Sequence, residues 1–179
     1  MIGKSAAGKD HARKICQQWL NMEYQVSYTT RPPRKHEIDG QDYFFISNKQ
    51  FIDKIDAEEW HEFVSFNGWH YGTTKEQFYT KNSVFIMTPS GLNCMEEIDR
   101  NESLVVYLDI DEDIRRKRIM ERNESDDSLE RRILADRKDF ANFKNYDIKV
   151  TEPLFSIKYF CETMLDNLST KILQDSRLS

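Results

Sequence analysis

The sequence is poor in the residues and segments that mark several special protein classes. Only 3 of its 179 residues are cysteine, with 6 glycines and 4 prolines. Cys16, Cys94 and Cys161 are odd in number and widely spaced, which favours reduced, packed thiols over a disulfide framework or a metal site. The chain also has no apolar run suited to a membrane span or a signal peptide. We therefore expect a cytoplasmic protein with no membrane contact.

An excess of positive charge is missing as well. The chain has 26 Lys and Arg against 31 Asp and Glu, a formal net charge of −5, and its sequence pI is about 5.5. A general nucleic-acid binder needs the opposite balance, so we expect no nucleic-acid partner and interpret each basic cluster locally. The length suits one domain, and a hydrophobic content of 39% with 11 Phe and 8 Tyr can fill its core.

Strand-like and helix-like segments alternate along the chain, which predicts an α/β protein with a parallel sheet. The predicted core strands are 84–87, 104–108 and 148–150, and the predicted helices are 8–20, 90–99, 112–122, 128–142 and 156–172. Residues 28–83 differ, with short strands at 43–46, 62–66 and 69–71 around a helix at 49–56. This pattern indicates one domain, 1–179, whose core (1–27 and 84–179) carries an inserted subdomain at 28–83.

A phosphate-binding loop pattern lies at the start of the chain. Gly3 to Lys9, GKSAAGK, fits the spacing G-x-x-x-x-G-K. The glycines let successive N–H groups curl around an anion, and the helix that begins near Gly8 points its positive end inward. That helix is amphipathic, and its predicted buried face is Ala12, Ile15, Cys16, Trp19 and Leu20. The loop pattern alone is shared by many NTPases.

A second phosphate-binding candidate lies between Ser27 and Tyr43, in SYTTRPPRKHEIDGQDY. Guanidinium groups such as those of Arg31 and Arg34 match phosphate oxygens bidentately. The two intervening prolines fix φ, so less backbone freedom is lost when the arginines bind. On its own, the segment could equally be a solvated basic turn.

Taken together, these segments resemble the guanylate kinase family over most of the chain. Three blocks carry the resemblance: GKSAAGKD, then SYTTRPPRKHEIDGQDYFFIS with EFVSFNGWHYGT, and RRKRIMERNESDDSLERRILADRKDF. The resemblance implies a three-layer P-loop kinase with a parallel central sheet, a small mixed-β acceptor-binding insertion and a helical lid at 115–136. It also implies phosphorylation of GMP or dGMP by ATP with Mg²⁺ as cofactor.

The resemblance assigns a role to each candidate site residue. The implied ATP-binding residues are Gly3, Ser5, Ala6, Ala7, Gly8, Lys9 and Asp10. The implied acceptor-phosphate ligands are Arg31, Arg34, Tyr43 and Tyr71, and the implied base readers are Ser27, Glu62 and Thr73. The implied catalytic residues are Lys9, Arg118, Arg122 and Arg132. Most of the flanking Arg115, Arg116, Lys117 and Arg131 are expected to be solvated or paired with acids.

The chain departs from the family pattern at three places. Asp10 stands where a Ser or Thr usually ligates Mg²⁺; a carboxylate also ligates Mg²⁺ but repels phosphates, which predicts a steep magnesium requirement. Thr88 stands near the place of an aspartate that helps the acceptor site, which puts base specificity and rate in question. Only Met1 and Ile2 precede Gly3, where the family usually has a full strand, so either the chain is truncated or the sheet closes differently.

Two rival functions remain open at this point. A P-loop kinase resembling the ribose bisphosphate kinases would explain Asp10 but has no need of Glu62. A catalytically silent guanylate-kinase-like module would bind a phosphorylated peptide or protein and has no need of Lys9 or the lid arginines. Neither the preferred base nor the oligomeric state is predicted.

Overall fold

The computed structural model describes residues 1–66, 68–121 and 128–175. The chain forms two compact units, one made of Met1–Asn21 with Glu96–Ser179 and the other of Met22–Met95. The second unit extends beyond the predicted insertion 28–83 at both ends. The predicted α/β class is confirmed, because a parallel sheet and a smaller mixed sheet are both present with several helices.

The elements in chain order are β1 (Ile2–Gly3), α1 (Lys9–Trp19), β2 (Glu23–Tyr24), β3 (Tyr28–Thr29), β4 (Phe44–Phe45), α2 (Asn48–Asp56), β5 (Trp60–Phe66), β6 (Trp69–Thr74), α3 (Lys75–Phe78), β7 (Ser83–Val84), α4 (Pro89–Asn93), α5 (Glu97–Glu102), β8 (Val106–Leu108), α6 (Glu112–Glu121), α7 (Leu129–Asp139), β9 (Ile148–Val150) and α8 (Ile157–Asp175). Within the described ranges, no helix is both long and apolar enough to cross a membrane.

The first unit is built on a parallel sheet with the strand order β1-β8-β9. All three residues of β8 are buried, as is typical of a parallel strand covered on both faces. A Cβ on Gly3 would lie 2.9 Å from the carbonyl oxygen of Leu108, so glycine lets β1 lie this close to β8. Ile2 and Gly3 thus form a strand of two residues, and the phosphate loop follows from its carboxyl end.

Helix α1 buries Ala12, Ile15 and Cys16, as its periodicity predicts. The prediction was wrong for Trp19, whose side chain lies at the end of the helix and is 59% exposed. The apolar stripe therefore ends one turn before the helix does.

The region 83–99 differs from its prediction in two ways. The predicted strand 84–87 is only Ser83–Val84, which pairs with β2, and the predicted helix 90–99 is two helices, α4 and α5. Pro89 disfavours helical geometry at Thr88, which is extended and caps α4 by accepting the Gly91 N–H at 3.0 Å. Extended geometry at Glu96 separates the two helices.

The second unit contains a mixed sheet with the strand order β4-β3-β6-β5. Strand β3 runs parallel to β4 and antiparallel to β6, and β5 and β6 form an antiparallel pair. The rings of Phe51 and Trp60 stack with centroids 4.5 Å apart. A Cβ on Gly72 would lie 2.8 Å from the Trp60 ring, so glycine makes room for this aromatic core beside β6.

Candidate functional site

The phosphate loop is a tight turn between β1 and α1. Ala6 and Gly8 both adopt left-handed backbone, with φ of 57° and 99°, and the N–H of Ala7 donates to the carbonyl of Lys4 at 3.2 Å. Glycine adopts this conformation freely, whereas alanine does so at a cost of about 1 kcal/mol. The Lys9 ammonium donates to the carbonyls of Gly3 and Lys4 at 2.7 and 3.1 Å, so its charge lies against the loop backbone.

Two buried charged residues from α6 and α7 hold this loop. The Ser5 N–H lies 3.0 Å from each carboxylate oxygen of Asp136, and the Ser5 hydroxyl donates to Asp136 at 3.1 Å. Arg115 Nη1 donates to the same carboxylate at 2.8 Å. Arg115 is only 1% exposed and is paired with an acid, which is one of the two outcomes expected for the flanking arginines. Sequence reasoning gave no role to Asp136, although an acid four residues after Arg132 shares its helix face.

The three predicted lid arginines differ in placement. Arg118 donates from Nη1 to the carbonyl of Ala6 at 3.1 Å and from Nη2 to the carbonyl of Pro153 at 2.7 Å. Arg132 is buried in α7, with 7% of its surface exposed. Arg122 lies outside the described residues. Arg118 is therefore joined to the phosphate loop directly, through a loop carbonyl.

Two further carboxylates of the first unit, Asp109 and Asp10, differ in how strongly they are paired with cations. Burial opposes ionisation of Asp109, but hydrogen bonds from Lys149, Lys4 and Tyr107 outweigh it and lower the pKa of Asp109 to about 2. Asp10, in the first turn of α1, has a side chain that is 65% exposed and accepts from Arg13 Nε at 3.2 Å. Asp10 is thus the more accessible carboxylate.

The predicted phosphate-binding arginines of the second unit are organised by Glu37. Arg31 Nη2 donates to both oxygens of the Glu37 carboxylate at 2.7 and 2.8 Å, and the Arg34 N–H donates to it at 2.8 Å. Arg31 is buried, whereas Arg34 is half-buried. Glu37 was missed as a site residue, although it is the acid of the E-x-D-G motif three positions after Arg34.

The two predicted tyrosines lie beside this arginine pair. The rings of Tyr43 and Tyr71 meet edge to face with centroids 5.9 Å apart, and the Arg31 guanidinium lies 5.5 Å from the Tyr43 ring. Burial raises the pKa of Tyr43 well above its usual value, so its phenol keeps its proton and can donate a hydrogen bond. The structure therefore brings four of the seven predicted acceptor-binding residues together.

Glu62 and Thr73 face each other on neighbouring strands, as the β5–β6 register shows. Glu62 is 8% exposed, and burial raises its pKa to about 7. The nearby Thr73 hydroxyl acts to lower this pKa, although its geometry is not that of an ordinary hydrogen bond. Thr73 Oγ1 is buried and has no hydrogen-bond partner among the described residues. A buried hydroxyl of this kind is rare in proteins and is suited to a ligand.

Gly91 of α4 and Thr88, which caps that helix, lie near the Glu62 carboxylate. A Cβ on Gly91 would lie 3.0 Å from Glu62 Oε2 and 3.4 Å from Thr88 Oγ1, so the absence of a side chain at Gly91 leaves space for the carboxylate. Thr88 therefore lies near the predicted base readers. Ser27, the third predicted base reader, precedes β3 and is half-buried, and the described structure shows no bond from its side chain to Glu62 or Thr73.

Comparison with known proteins identifies the family. The guanylate kinase family model matches residues 1–156. The chain belongs to the guanylate kinase family. The guanylate kinase of Geobacter sulfurreducens is 31% identical over 159 residues, covering 85% of this chain and 78% of that protein. The guanylate kinase of Syntrophus aciditrophicus is 29% identical over 149 residues, covering 80% of this chain and 72% of that protein.

A solved guanylate kinase shares the fold. The crystal structure of guanylate kinase from Anaplasma phagocytophilum matches with a TM-score of 0.68 and 17% sequence identity, covering 95% of this chain and 84% of that one. At that identity the likeness shows the fold alone. The family and fold class implied by the sequence blocks are thus confirmed.

Proposed function

We propose that this member of the guanylate kinase family transfers the γ-phosphoryl group of ATP in line to a phosphate oxygen of GMP or dGMP. The chain is a nucleoside monophosphate kinase of that family. The choice of guanine as the base is supported by the buried Glu62 carboxylate, which lies opposite the Thr73 hydroxyl. Neither the sugar-phosphate kinase nor the silent binding module is favoured, because the family match and the relatives are guanylate kinases.

Guanine has the hydrogen-bonding groups that this pair requires. Its N1–H and N2–H₂ are adjacent donors, which a carboxylate at Glu62 can accept, and its O6 can accept from a hydroxyl such as that of Thr73. Adenine lacks the paired donors and would leave the carboxylate unpaired. A site built to bond a substrate N–H rejects an analogue without it by about 10⁴-fold, which is ample for base selection.

The acceptor phosphate would be held by Arg34, Tyr43 and Tyr71. Because Glu37 accepts from Arg31 Nη2 at 2.7 and 2.8 Å, whereas its carboxylate lies 3.6 Å from Arg34 Nη1, the half-buried Arg34 is the better direct phosphate ligand and Arg31 chiefly completes the cluster. A phosphate dianion is already nucleophilic, so the reaction needs no general base and we assign no catalytic histidine. Positioning and positive charge supply the catalysis.

The donor phosphates would be held by the loop amides and Lys9, and Arg132 would neutralise charge on the migrating group, while Arg118 would support the loop through the Ala6 carbonyl. Magnesium, when bound, neutralises charge on the β- and γ-phosphates. The donor set fits this ion, since Mg²⁺ usually takes one or two carboxylates together with substrate phosphates, and Asp10 offers an accessible carboxylate directly after Lys9. Asp109 is paired with both Lys4 and Lys149, and Asp136 is buried against Arg115, whereas Asp10 is 65% exposed and accepts from Arg13. We therefore assign the metal to Asp10.

This assignment predicts a changed magnesium response in Asp10→Ser. The negative charge of Asp10 repels nucleotide phosphates until it is compensated, so the rate of the parent should rise more steeply with Mg²⁺ than the rate of the variant. Titration of Mg²⁺ against initial rate at fixed ATP in both proteins measures the difference. Superimposable titration curves would remove Asp10 from the metal site.

The proposed function is tested by an acceptor panel. ATP consumption is measured in a coupled assay with GMP, dGMP, AMP, UMP and ribose 1,5-bisphosphate, each with and without EDTA. We expect turnover with GMP or dGMP, its loss on chelation, and little with the other acceptors. Preference for the sugar bisphosphate, or no turnover with any acceptor, would contradict the proposal. A cytoplasmic location fits these nucleotide substrates and is part of the proposal.

Arg34→Ala should raise the KM for GMP at least tenfold and lower kcat, with the KM for ATP unchanged, because a charge-assisted bond to phosphate is worth about 1.5–3 kcal/mol. Steady-state kinetics with each nucleotide varied in turn measure the effect. The matched control is Lys35→Ala, which removes the same charge from the exposed neighbouring position. An equal rise of the GMP KM in both variants would indicate a general electrostatic effect instead of a contact.

A further inference from the structure

We propose that Asp136, paired with Arg115, is a positioning residue that sets the phosphate loop in its ATP-binding shape. Both residues are buried, at 6% and 1% exposure, and neither belongs to the loop. The proposal rests on the proposed function in one respect, namely that the loop from Gly3 to Lys9 is the ATP site.

The loop backbone at Ala6 needs contacts that hold its conformation. Ala6 adopts φ of 57°, a left-handed conformation that a residue with a Cβ rarely takes unless its surroundings impose it. The next glycine, Gly8, is left-handed too and begins α1. Free in solution, the segment around Ala6 would therefore spend much of its time in other conformations.

Hydrogen bonds hold the backbone on both sides of Ala6. On one side, Asp136 accepts from the N–H and hydroxyl of Ser5, and Arg115 Nη1 lies 3.4 Å from the Ser5 carbonyl oxygen. On the other side, Arg118 donates to the carbonyl of Ala6 at 3.1 Å. Three side chains from α6 and α7 thus hold two consecutive loop residues, and with them the left-handed turn.

The negative charge of Asp136 is compensated by Arg115. A lone carboxylate beside this loop would repel ATP phosphates, but Arg115 donates to Asp136 at 2.8 Å and compensates it. Arg115 is itself anchored, since its Nε donates to the Ile110 carbonyl at 3.0 Å, two residues after β8 ends. The pair therefore offers the loop a fixed acceptor with little net charge. Breaking a buried pair on one side leaves an uncompensated charge, so neither partner can be replaced alone without consequence.

The test is Asp136→Asn. The amide keeps the shape of the carboxylate but has one acceptor oxygen, so its NH₂ group must face either the Ser5 N–H or the Arg115 guanidinium. We expect the dissociation constant of ATP, measured by titration without acceptor, and the KM for ATP to rise about tenfold, the effect of losing one charge-assisted hydrogen bond. The KM for GMP should stay within twofold. An unchanged ATP affinity in a folded variant would overturn the proposal.

Asp147→Asn is the matched control for loss of a structural carboxylate. Asp147 accepts from Arg100 at 3.1 and 3.2 Å and also from the N–H of Val105, so it makes a comparable set of bonds away from the loop. We expect this variant to melt at a lower temperature with an unchanged KM for ATP. A rise of the ATP KM equal to that of Asp136→Asn would show that general loosening of the unit explains both, and would overturn the proposal.

A double variant keeps the test decisive if Asp136→Asn folds poorly. Replacing a buried ion pair by apolar residues of similar volume is often neutral for stability, so Arg115→Met with Asp136→Leu should melt close to the parent. Its ATP KM should nevertheless stay raised, since leucine cannot accept from Ser5. Recovery of the parent ATP KM together with stability would show that the pair only stabilises the fold.

These outcomes separate the inference from the proposed function. If the parent consumes no ATP with any nucleoside monophosphate, the proposed function fails, and direct ATP titration of the parent and Asp136→Asn still decides the inference. If the parent turns over GMP and the variants bind ATP equally well, only the inference fails.

Discussion

Replacing Glu62 with glutamine should lower kcat/KM for GMP by about a thousandfold and, at the same time, make the folded protein more stable above pH 7. The kinetic loss follows from hydrogen bonding. The carboxylate can accept from both N1–H and N2–H₂ of guanine, whereas glutamine offers one acceptor and turns an NH₂ group towards a donor.

The gain in stability follows from the pKa of Glu62. Burial raises this pKa from 4.5 to about 7 in the folded chain. Between these two pH values the folded state binds more protons than the unfolded state, so the free energy of unfolding falls as pH rises through this window and stays lower above it. Glutamine does not titrate, and the variant should avoid this loss, which is about 3 kcal/mol.

The stability prediction is tested by denaturant unfolding at pH 5 and pH 8, and the kinetic prediction by GMP kinetics on the same preparations. The difference in unfolding free energy between the variant and the parent should be larger at pH 8 than at pH 5. Glu76→Gln, at an exposed position on α3, serves as the control and should alter neither stability nor kinetics. A stability difference that does not depend on pH would contradict the ionisation argument, and unchanged GMP kinetics would remove Glu62 from the base site.

The candidate site residues could be named from sequence where the motif is contiguous. The loop of Gly3 to Lys9 and the Arg31–Tyr43 segment carry their chemistry in short patterns, because the backbone alone brings those groups close. Glu37 lies within such a pattern, yet its role depends on a loop conformation that brings its carboxylate back to Arg31. The sequence pattern therefore identifies Glu37 but does not predict that it pairs with Arg31.

Asp136 and Arg115 could not be predicted as site residues, because their contacts join distant positions. The bond from Ser5 to Asp136 spans 131 residues of sequence, and the run RRKR gives no sign of which arginine is buried. The same limit applies to the strand predicted at 84–87. An apolar run indicates burial, but the number of its residues that pair depends on the neighbouring strand, and here β2 offers only two.

The second large effect is expected from the arginines of the predicted lid. Arg132→Ala should lower kcat about a thousandfold with the KM values of both nucleotides nearly unchanged, because an arginine that stabilises the migrating phosphoryl group contributes chiefly in the transition state. Arg118→Ala should instead raise the KM for ATP, since Arg118 holds the Ala6 carbonyl of the donor loop. The contrast separates charge stabilisation from loop support.

The comparison requires kcat and both KM values for each variant, with thermal melting to show that each one folds. Arg131→Ala is the matched control, because it removes the same charge from the adjacent position of α7, where it points to a different side of the helix from the buried Arg132. We expect near-parent kinetics for it.

If Arg118→Ala and Arg132→Ala lose kcat equally with unchanged KM values, both arginines stabilise the transition state and the bond from Arg118 to Ala6 contributes little to ATP binding. If Arg132→Ala raises only the ATP KM, its role is in donor binding, and the charge on the transferred phosphoryl group must be stabilised by Lys9 or another cation.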